Sequence, residues 1–210
     1  MGVETHKSTL THLERMDSPH APLAAPRTMR PKDDTTPRWW AMSATFNRSM
    51  QAQAFIDETT DAQAFVPMVS ELKVVGGKKT RRRRPAVSNL IFVRATDAGV
   101  QRIKDRLEYL QFMCNTEGGR RIRIVVPDKQ MDDFIAVAGD AEERAIYFDP
   151  AELHLQKGDR VRIHGGVFDG VEGHFVKVQG RRRKMVVVSL PVAAVATLSF
   201  APEMLEKLSD

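Results

Sequence analysis

Six histidines, one cysteine and two dense runs of Lys and Arg are the residues of this chain that could do chemistry. His6, His12 and His20 lie near the start, and His154, His164 and His174 near the end. None shows the HExxH spacing of a zinc enzyme, and none has a cysteine partner for a metal. Cys114 stands alone, which leaves no internal disulfide, and it is expected to be a small packing residue in a strand. There is no GxxxxGK[ST] phosphate loop. No catalytic residue, metal or cofactor is therefore expected, and the chain is not expected to be an enzyme. What remains is the chemistry of binding. Residues 78–84 (KKTRRRR) hold six basic side chains in seven positions, and residues 181–184 (RRRK) hold four more. Guanidinium groups pair bidentately with phosphate oxygens. Such runs suit contact with a nucleic-acid backbone at a few points. The plainer alternative for each run is a solvated hairpin tip.

The elements that must position these residues follow from periodicity. Residues 1–37 show no sustained period and are cut by Pro19, Pro22, Pro26, Pro31 and Pro37. Such a segment cannot bury enough apolar surface to offset chain entropy, so a disordered tail is expected. A short helix over 8–16 is open if a partner orders it. Order is expected from Trp39, where WWAMSATF reads as a first strand. A helix is expected over 49–58, with Met50, Ala54 and Phe55 as its apolar stripe, and AFVPM (64–68) as a short strand. Residues 72–75 and 78–84 flank Gly76-Gly77 as a hairpin. Its basic arm must face solvent or lie on an anion. Residues 90–93 (LIFV) form a continuous apolar run, the mark of a central strand buried on both faces.

Val100, Ile103, Leu107 and Leu110 then recur at helical spacing behind Thr96, a candidate N-cap. Residues 110–114 return to strand, 117–121 form a turn, and 121–126 extend again. Pro127-Asp128 opens another helix with Met131, Phe134, Ile135 and Ala138 on one face, ended by Gly139. Interleaved short strands and helices predict an α+β domain over 38–141, an antiparallel sheet with helices packed on it. The acidic stretch 142–152 reads as a linker. Residues 153–210 read as a small all-β domain whose last long strands are KMVVVSL and VATLSF, with a brief helix over 202–208. Within it, KGDRVRIHGGVFDGVEGHFVKV (157–178) is strand, glycine-rich turn and strand. Val161 and Ile163 alternate there with Arg160 and Arg162.

Composition bounds the rest. The chain has 210 residues, 42% hydrophobic and 28% charged, with a net charge of +5. No run approaches the roughly 18 apolar residues of a membrane span, and the polar start predicts no secretory signal. One cysteine fits a reducing compartment, so a cytoplasmic location is expected. The charge is uneven. Residues 39–141 carry 16 basic and 12 acidic side chains, whereas residues 142–210 carry ten of each.

The run 157–178 resembles a KOW motif, found in small SH3-like barrels of nucleic-acid, ribosome and transcription proteins. The α+β part followed by this motif resembles the NusG family of transcription elongation factors over residues 39 to about 200. The residues that carry the resemblance are Trp39-Trp40, AFVPM, the Gly76-Gly77 hairpin with its basic arm, the apolar strand 90–93 and the helix PDKQMDDFI. Where the family usually has a phenylalanine followed by Pro-Gly-Tyr, this chain reads Val87, Ser88, Asn89 and Leu90. The pattern is closer to specialised paralogues of the UpxY type than to the housekeeping factor.

The resemblance implies a factor that bridges the polymerase cleft, docked on the clamp helices of RNA polymerase, with another face near DNA or nascent RNA. Such a factor acts on pausing and termination by favouring one polymerase conformation. On that basis Trp40, Phe65, Val87, Leu90, Phe92 and Phe112 are the expected polymerase-docking residues, with core packing as the alternative for each. Arg48, at the start of the first helix, and Arg81, Arg82, Arg83 and Arg84 are the expected nucleic-acid contacts. In the KOW domain Phe168, Phe175, Arg181, Arg182 and Arg183 are the expected contacts to a ribosomal protein, a termination factor or RNA, with packing among the barrel valines as the alternative for Phe175. The factor is expected to be monomeric and not to bind a membrane. A different class stays open: a KOW-containing RNA- or ribosome-binding protein that does not act on polymerase.

Overall fold

The computed structural model describes residues 35–139, 145–148, 158–177, 184–198 and 200–209. The expected tail up to residue 34, most of the expected linker, and Arg181, Arg182 and Arg183 lie outside these residues. The described elements begin with β1 (Arg38–Ala44), α1 (Ser49–Thr59), β2 (Gln63–Phe65), β3 (Met68–Val75), β4 (Lys78–Pro85) and β5 (Leu90–Ala95). They continue with α2 (Asp97–Arg106), β6 (Leu110–Phe112), β7 (Cys114–Glu117), β8 (Arg120–Arg123), β9 (Val125–Val126) and α3 (Asp128–Ala138). The last are β10 (Ile146–Phe148), β11 (Asp159–Ile163), β12 (Glu172–Lys177), β13 (Lys184–Ser189), β14 (Ala194–Thr197) and β15 (Leu205–Lys207). The fold is a mixed one, with α-helices packed on antiparallel sheets.

Strands β1 and β5 set the first sheet, because their side chains alternate between two apolar faces. They pair antiparallel from Arg38↔Ala95 to Ser43↔Leu90. The sheet order is β2-β5-β1-β6, with β9 also paired to β1. On one face Trp40, Met42, Ile91 and Val93 pack with Ala52 and Ile56 of α1 and Val100 and Ile103 of α2. On the other, Trp39, Ala41, Leu90 and Phe92 pack with Met131, Phe134 and Val137 of α3. Helices on both faces explain why LIFV is continuously apolar, as its run predicts. Thr96 caps α2 as expected, its hydroxyl accepting from Gly99 N at 3.0 Å. Helix α1 is where it is expected but turned differently. Its buried residues are Ser49, Ala52 and Ile56, while Met50 is exposed.

The second sheet runs β10-β14-β13-β12-β11-β15, all antiparallel. Gly173 lies in β12 where a Cβ would meet Val187 O at 2.8 Å, so a side chain there would part β12 from β13. Two expectations are corrected. Ile146–Phe148, inside the expected linker, pairs with β14 as an edge strand. The expected C-terminal helix is a short 3-10 turn, Pro202–Met204, followed by β15. There the edge of β11 offers ladder partners, Val161↔Lys207 to Ile163↔Leu205, that outcompete a helix of one or two turns.

Helix α3 joins the two sheets. Its apolar side continues into Val161, Ile163, Phe168, Val186, Val188 and Val195, so one core runs through both halves. The Phe134 ring stands edge-on to Phe92 at 5.8 Å and to Tyr147 at 6.5 Å. The described residues fall in one compact unit, Asp33–Asp210.

Candidate nucleic-acid interface

The hairpin β3–β4 presents the basic run. Gly76 (φ +57) and Gly77 (φ +78) make its turn, a left-handed pair that suits the twist of the two strands. The eight-pair ladder, Met68↔Pro85 to Val75↔Lys78, forms its own two-stranded sheet. At about 3.3 Å per residue the ribbon is roughly 25 Å long. Side chains alternate, so the basic run does not form a single patch. Lys79, Arg81 and Arg83 share a face with Leu72 and Val74, while Lys78, Arg82 and Arg84 share the other with Glu71 and Lys73. Leu72 and Val74 are 70% and 64% exposed. Arg84 donates to Glu71 at 2.8 Å, and this bond holds the Glu71 carboxyl below the usual carboxylate range. Both groups face solvent, so the pair adds little to stability.

A second, shorter hairpin repeats the pattern. Gly118-Gly119 links β7 to β8, and Arg120 and Arg121 are exposed. The sequence reads only as a turn over 117–121 here. The signal was present, since GGRRIR echoes GGKKTRRRR. Arg123 on the same strand is differently placed: its guanidinium lies 3.9 Å from the Phe112 ring centroid and 3.4 Å from Asp97.

Arg48 sits where expected, at the N-cap of α1, with no side chain capping that helix end. Its guanidinium lies 5.1 Å from the Tyr109 ring centroid and 5.8 Å from that of Phe46. The turn before it is unusual. Phe46 (φ 60) and Asn47 (φ 57) are consecutive left-handed residues. Asparagine tolerates that region, but a bulky side chain there is a steric outlier, costing on the order of 1–3 kcal/mol. Asn89 holds the turn, its side-chain oxygen accepting from Asn47 N at 2.8 Å. Phe46 is 83% exposed and was not singled out from the sequence, where a lone Phe after a strand carries no mark.

The six expected docking residues do not share a face. Leu90 and Phe92 point to the α3 side and are buried, with Phe65 and Val87 half-buried at that cluster's margin. Trp40 and Phe112 belong to the opposite side of the sheet, edge-on at 5.9 Å. Trp40 is buried and donates its indole N–H to Ala95 O at 3.0 Å. Strand alternation, which puts Trp40 opposite in direction to Leu90 and Phe92, separates the two groups.

In the second sheet, Phe168 is buried in the 3-10 turn Gly166–Phe168, and the exposed side chain of that turn is Val167. Phe168 is therefore a core residue in this structure rather than a contact surface. Phe175 is half-buried, edge-on to Phe200 at 5.9 Å and beneath Lys184 Nζ at 5.0 Å. A charge network lines β11 and β12. Arg160 and Arg162 donate to Glu172 at 2.9 and 2.7 Å, and the Arg162 hydrogen bond leads in holding that carboxyl below its usual range. Across from it on α3, Asp133 is buried and paired with Lys129 at 2.5 Å. Lys129 also donates to Gly170 O at 3.0 Å. Burial pushes the Asp133 carboxyl up despite that lysine. Lys129, Asp133, Arg160, Glu172 and His174 line a cleft of about 370 Å³.

Among the described residues, no three His, Cys, Asp or Glu stand close enough to hold a metal, and no helix is long and apolar enough to cross a membrane. No protein-family model matches the chain, and no curated protein does. A solved structure described as "Domain interaction in Thermotoga maritima NusG" is similar at 15% identity, with a TM-score of 0.38. The match covers 83% of this chain and 98% of that one. A likeness at this level carries no argument about function.

Proposed function

We propose that this chain is a transcription elongation factor of the NusG kind, a specialised paralogue of the UpxY type, that binds RNA polymerase and modulates pausing and termination. The observation that carries the reading is one juxtaposition. An exposed ribbon with seven Lys and Arg side chains leaves the sheet at Met68 and Pro85, beside the apolar margin formed by Phe65 and Val87. One surface suits a phosphate backbone and the adjoining one suits apolar protein contact. The sheet β10–β15 is read as the SH3-like KOW barrel. Its proposed role is to recruit a second partner, a ribosomal protein or a termination factor. The proposed factor works in the cytoplasm as a monomer, without a cofactor and without covalent chemistry.

Docking is assigned to the α3 side, through Phe65, Val87, Leu90 and Phe92. Leu90 and Phe92 are covered by α3, and α3 is covered by the second sheet. Polymerase therefore meets Phe65 and Val87 first, and contact with the deeper pair requires the cover to move. A partner that binds the opened form better draws the equilibrium toward it by that difference in affinity.

The test is capture of core RNA polymerase by the full chain, with Phe65→Ser and Val87→Asp as the paired variant. Both positions are half-buried, so the fold tolerates them better than a charge at Leu90. Capture by the wild type and its loss in the paired variant is the expected result. No capture by the wild type refutes the polymerase reading, and undiminished capture by the variant refutes the docking face.

A further inference from the structure

We infer that Phe46, flanked by Arg48, is a stacking platform for an unpaired nucleobase, so that the nucleic acid this protein holds is a single strand. The inference deepens the nucleic-acid half of the proposed function and rests on it, but is independent of polymerase docking.

Three observations converge. The Phe46 ring is 83% exposed although it is the kind of side chain that normally finds a core. Its backbone is held in a left-handed conformation that favours Gly or Asn, and Asn89 fixes the turn from another strand. A ring in such a position fills no gap in the fold, yet the turn aims it at solvent. The guanidinium of its neighbour Arg48 lies over both the Phe46 and the Tyr109 rings, at 5.8 and 5.1 Å from their centroids, which holds a cation on the exposed ring. A flat exposed ring with a cation over one face combines the stacking and cation–π contacts by which proteins hold bases in single strands.

The polyanion has a route to this ring. Asn89, which bonds the turn, is five residues beyond Arg84 at the base of the basic ribbon. Five residues of extended chain span at most about 17 Å. A backbone laid along Arg82 and Arg84 therefore passes within a few nucleotides of Phe46. A duplex keeps its bases stacked inside and offers the ring nothing, whereas a single strand offers a free base at no unpairing cost. The same chemistry is presented by displaced DNA and by RNA.

The experiment is fluorescence anisotropy of the full chain with a mixed-sequence single-stranded DNA, the RNA of the same sequence, and the DNA duplex. Wild type and Phe46→Gly are compared across a salt series. Glycine suits the left-handed turn, so this variant keeps or improves the fold while removing the ring. The expected result is a 5- to 150-fold loss of single-strand affinity (about one stacked base) with the salt slope unchanged. Arg82→Ala with Arg84→Ala instead lowers that slope, by roughly 0.7 per lost phosphate contact. A 2-aminopurine in the strand should change fluorescence on binding wild type and not Phe46→Gly. The better-bound single strand, DNA or RNA, identifies the source. Failure of wild type to bind any of the three overturns the nucleic-acid reading and this inference with it. Wild-type binding that Phe46→Gly leaves intact overturns the stacking site alone. Loss of polymerase capture in Phe46→Gly, with oligonucleotide binding unchanged, assigns the ring to a protein partner and also overturns it.

Discussion

Asp133 is a carboxyl whose ionisation the packing opposes. It lies on α3 against β12, buried, with Lys129 as its counter-charge and Glu172 as a like-charged neighbour. A carboxyl whose pKa is raised on folding binds more protons in the native state, so stability falls as pH rises through that raised range. Glu172 runs the other way: its lowered pKa gives stability that is lost as pH falls below the ordinary carboxylate range. We predict that Asp133→Asn flattens the decline of the urea midpoint above that range and leaves the acid limb in place. A decline as steep in the variant as in the wild type would assign it elsewhere. Tyr147 gives a second test at this scale. Burial raises its phenol to about 12, and its hydroxyl lies 3.2 Å from Ala138 O and 3.3 Å from Met68 O. Tyr147→Phe should cost about 1 kcal/mol in denaturant titrations.

Among the elements, α3 carries the most. The Phe134 ring touches residues from the first sheet and from Tyr147 of the second, with no solvent exposure. Phe134→Ala should destabilise the chain by about 3–5 kcal/mol. Because the lost ring joins both halves, calorimetry should then resolve two transitions in place of one. The first half of α3 was legible from Met131 and Phe134. That its surroundings extend into β13 and β14 was not, because the residues it meets lie some 50 to 60 positions further on and no local period encodes them. Helix α1 shows another limit. The sequence suggests a stripe of Met50, Ala54 and Phe55, but the helix buries Ser49, Ala52 and Ile56, where the small Ser49 and Ala52 let it approach the sheet closely. The strand β5 and the Thr96 cap were legible because each is local: an apolar run of strand length, and a hydroxyl three residues before Gly99. The turn at Phe46 was not, because a left-handed φ at Phe leaves no compositional trace.

At the scale of the whole molecule, charge and apolar surface divide the work. The basic side chains of the two Gly-Gly hairpins lie outside the cores, while the apolar residues assigned to docking are wholly or partly under cover. The charge run was legible as a hairpin arm. Its division between two ribbon faces follows from pairing register, and so did the separation of Trp40 and Phe112 from Leu90 and Phe92. The proposed action on a transcribing polymerase is tested by transcription in vitro on a template with a long leader. Dwell time at pauses is measured as purified chain is titrated onto halted complexes. The expected result is a saturable change in dwell time that the Phe65→Ser, Val87→Asp variant abolishes. Dwell times that stay constant at every concentration of folded wild-type chain would contradict it.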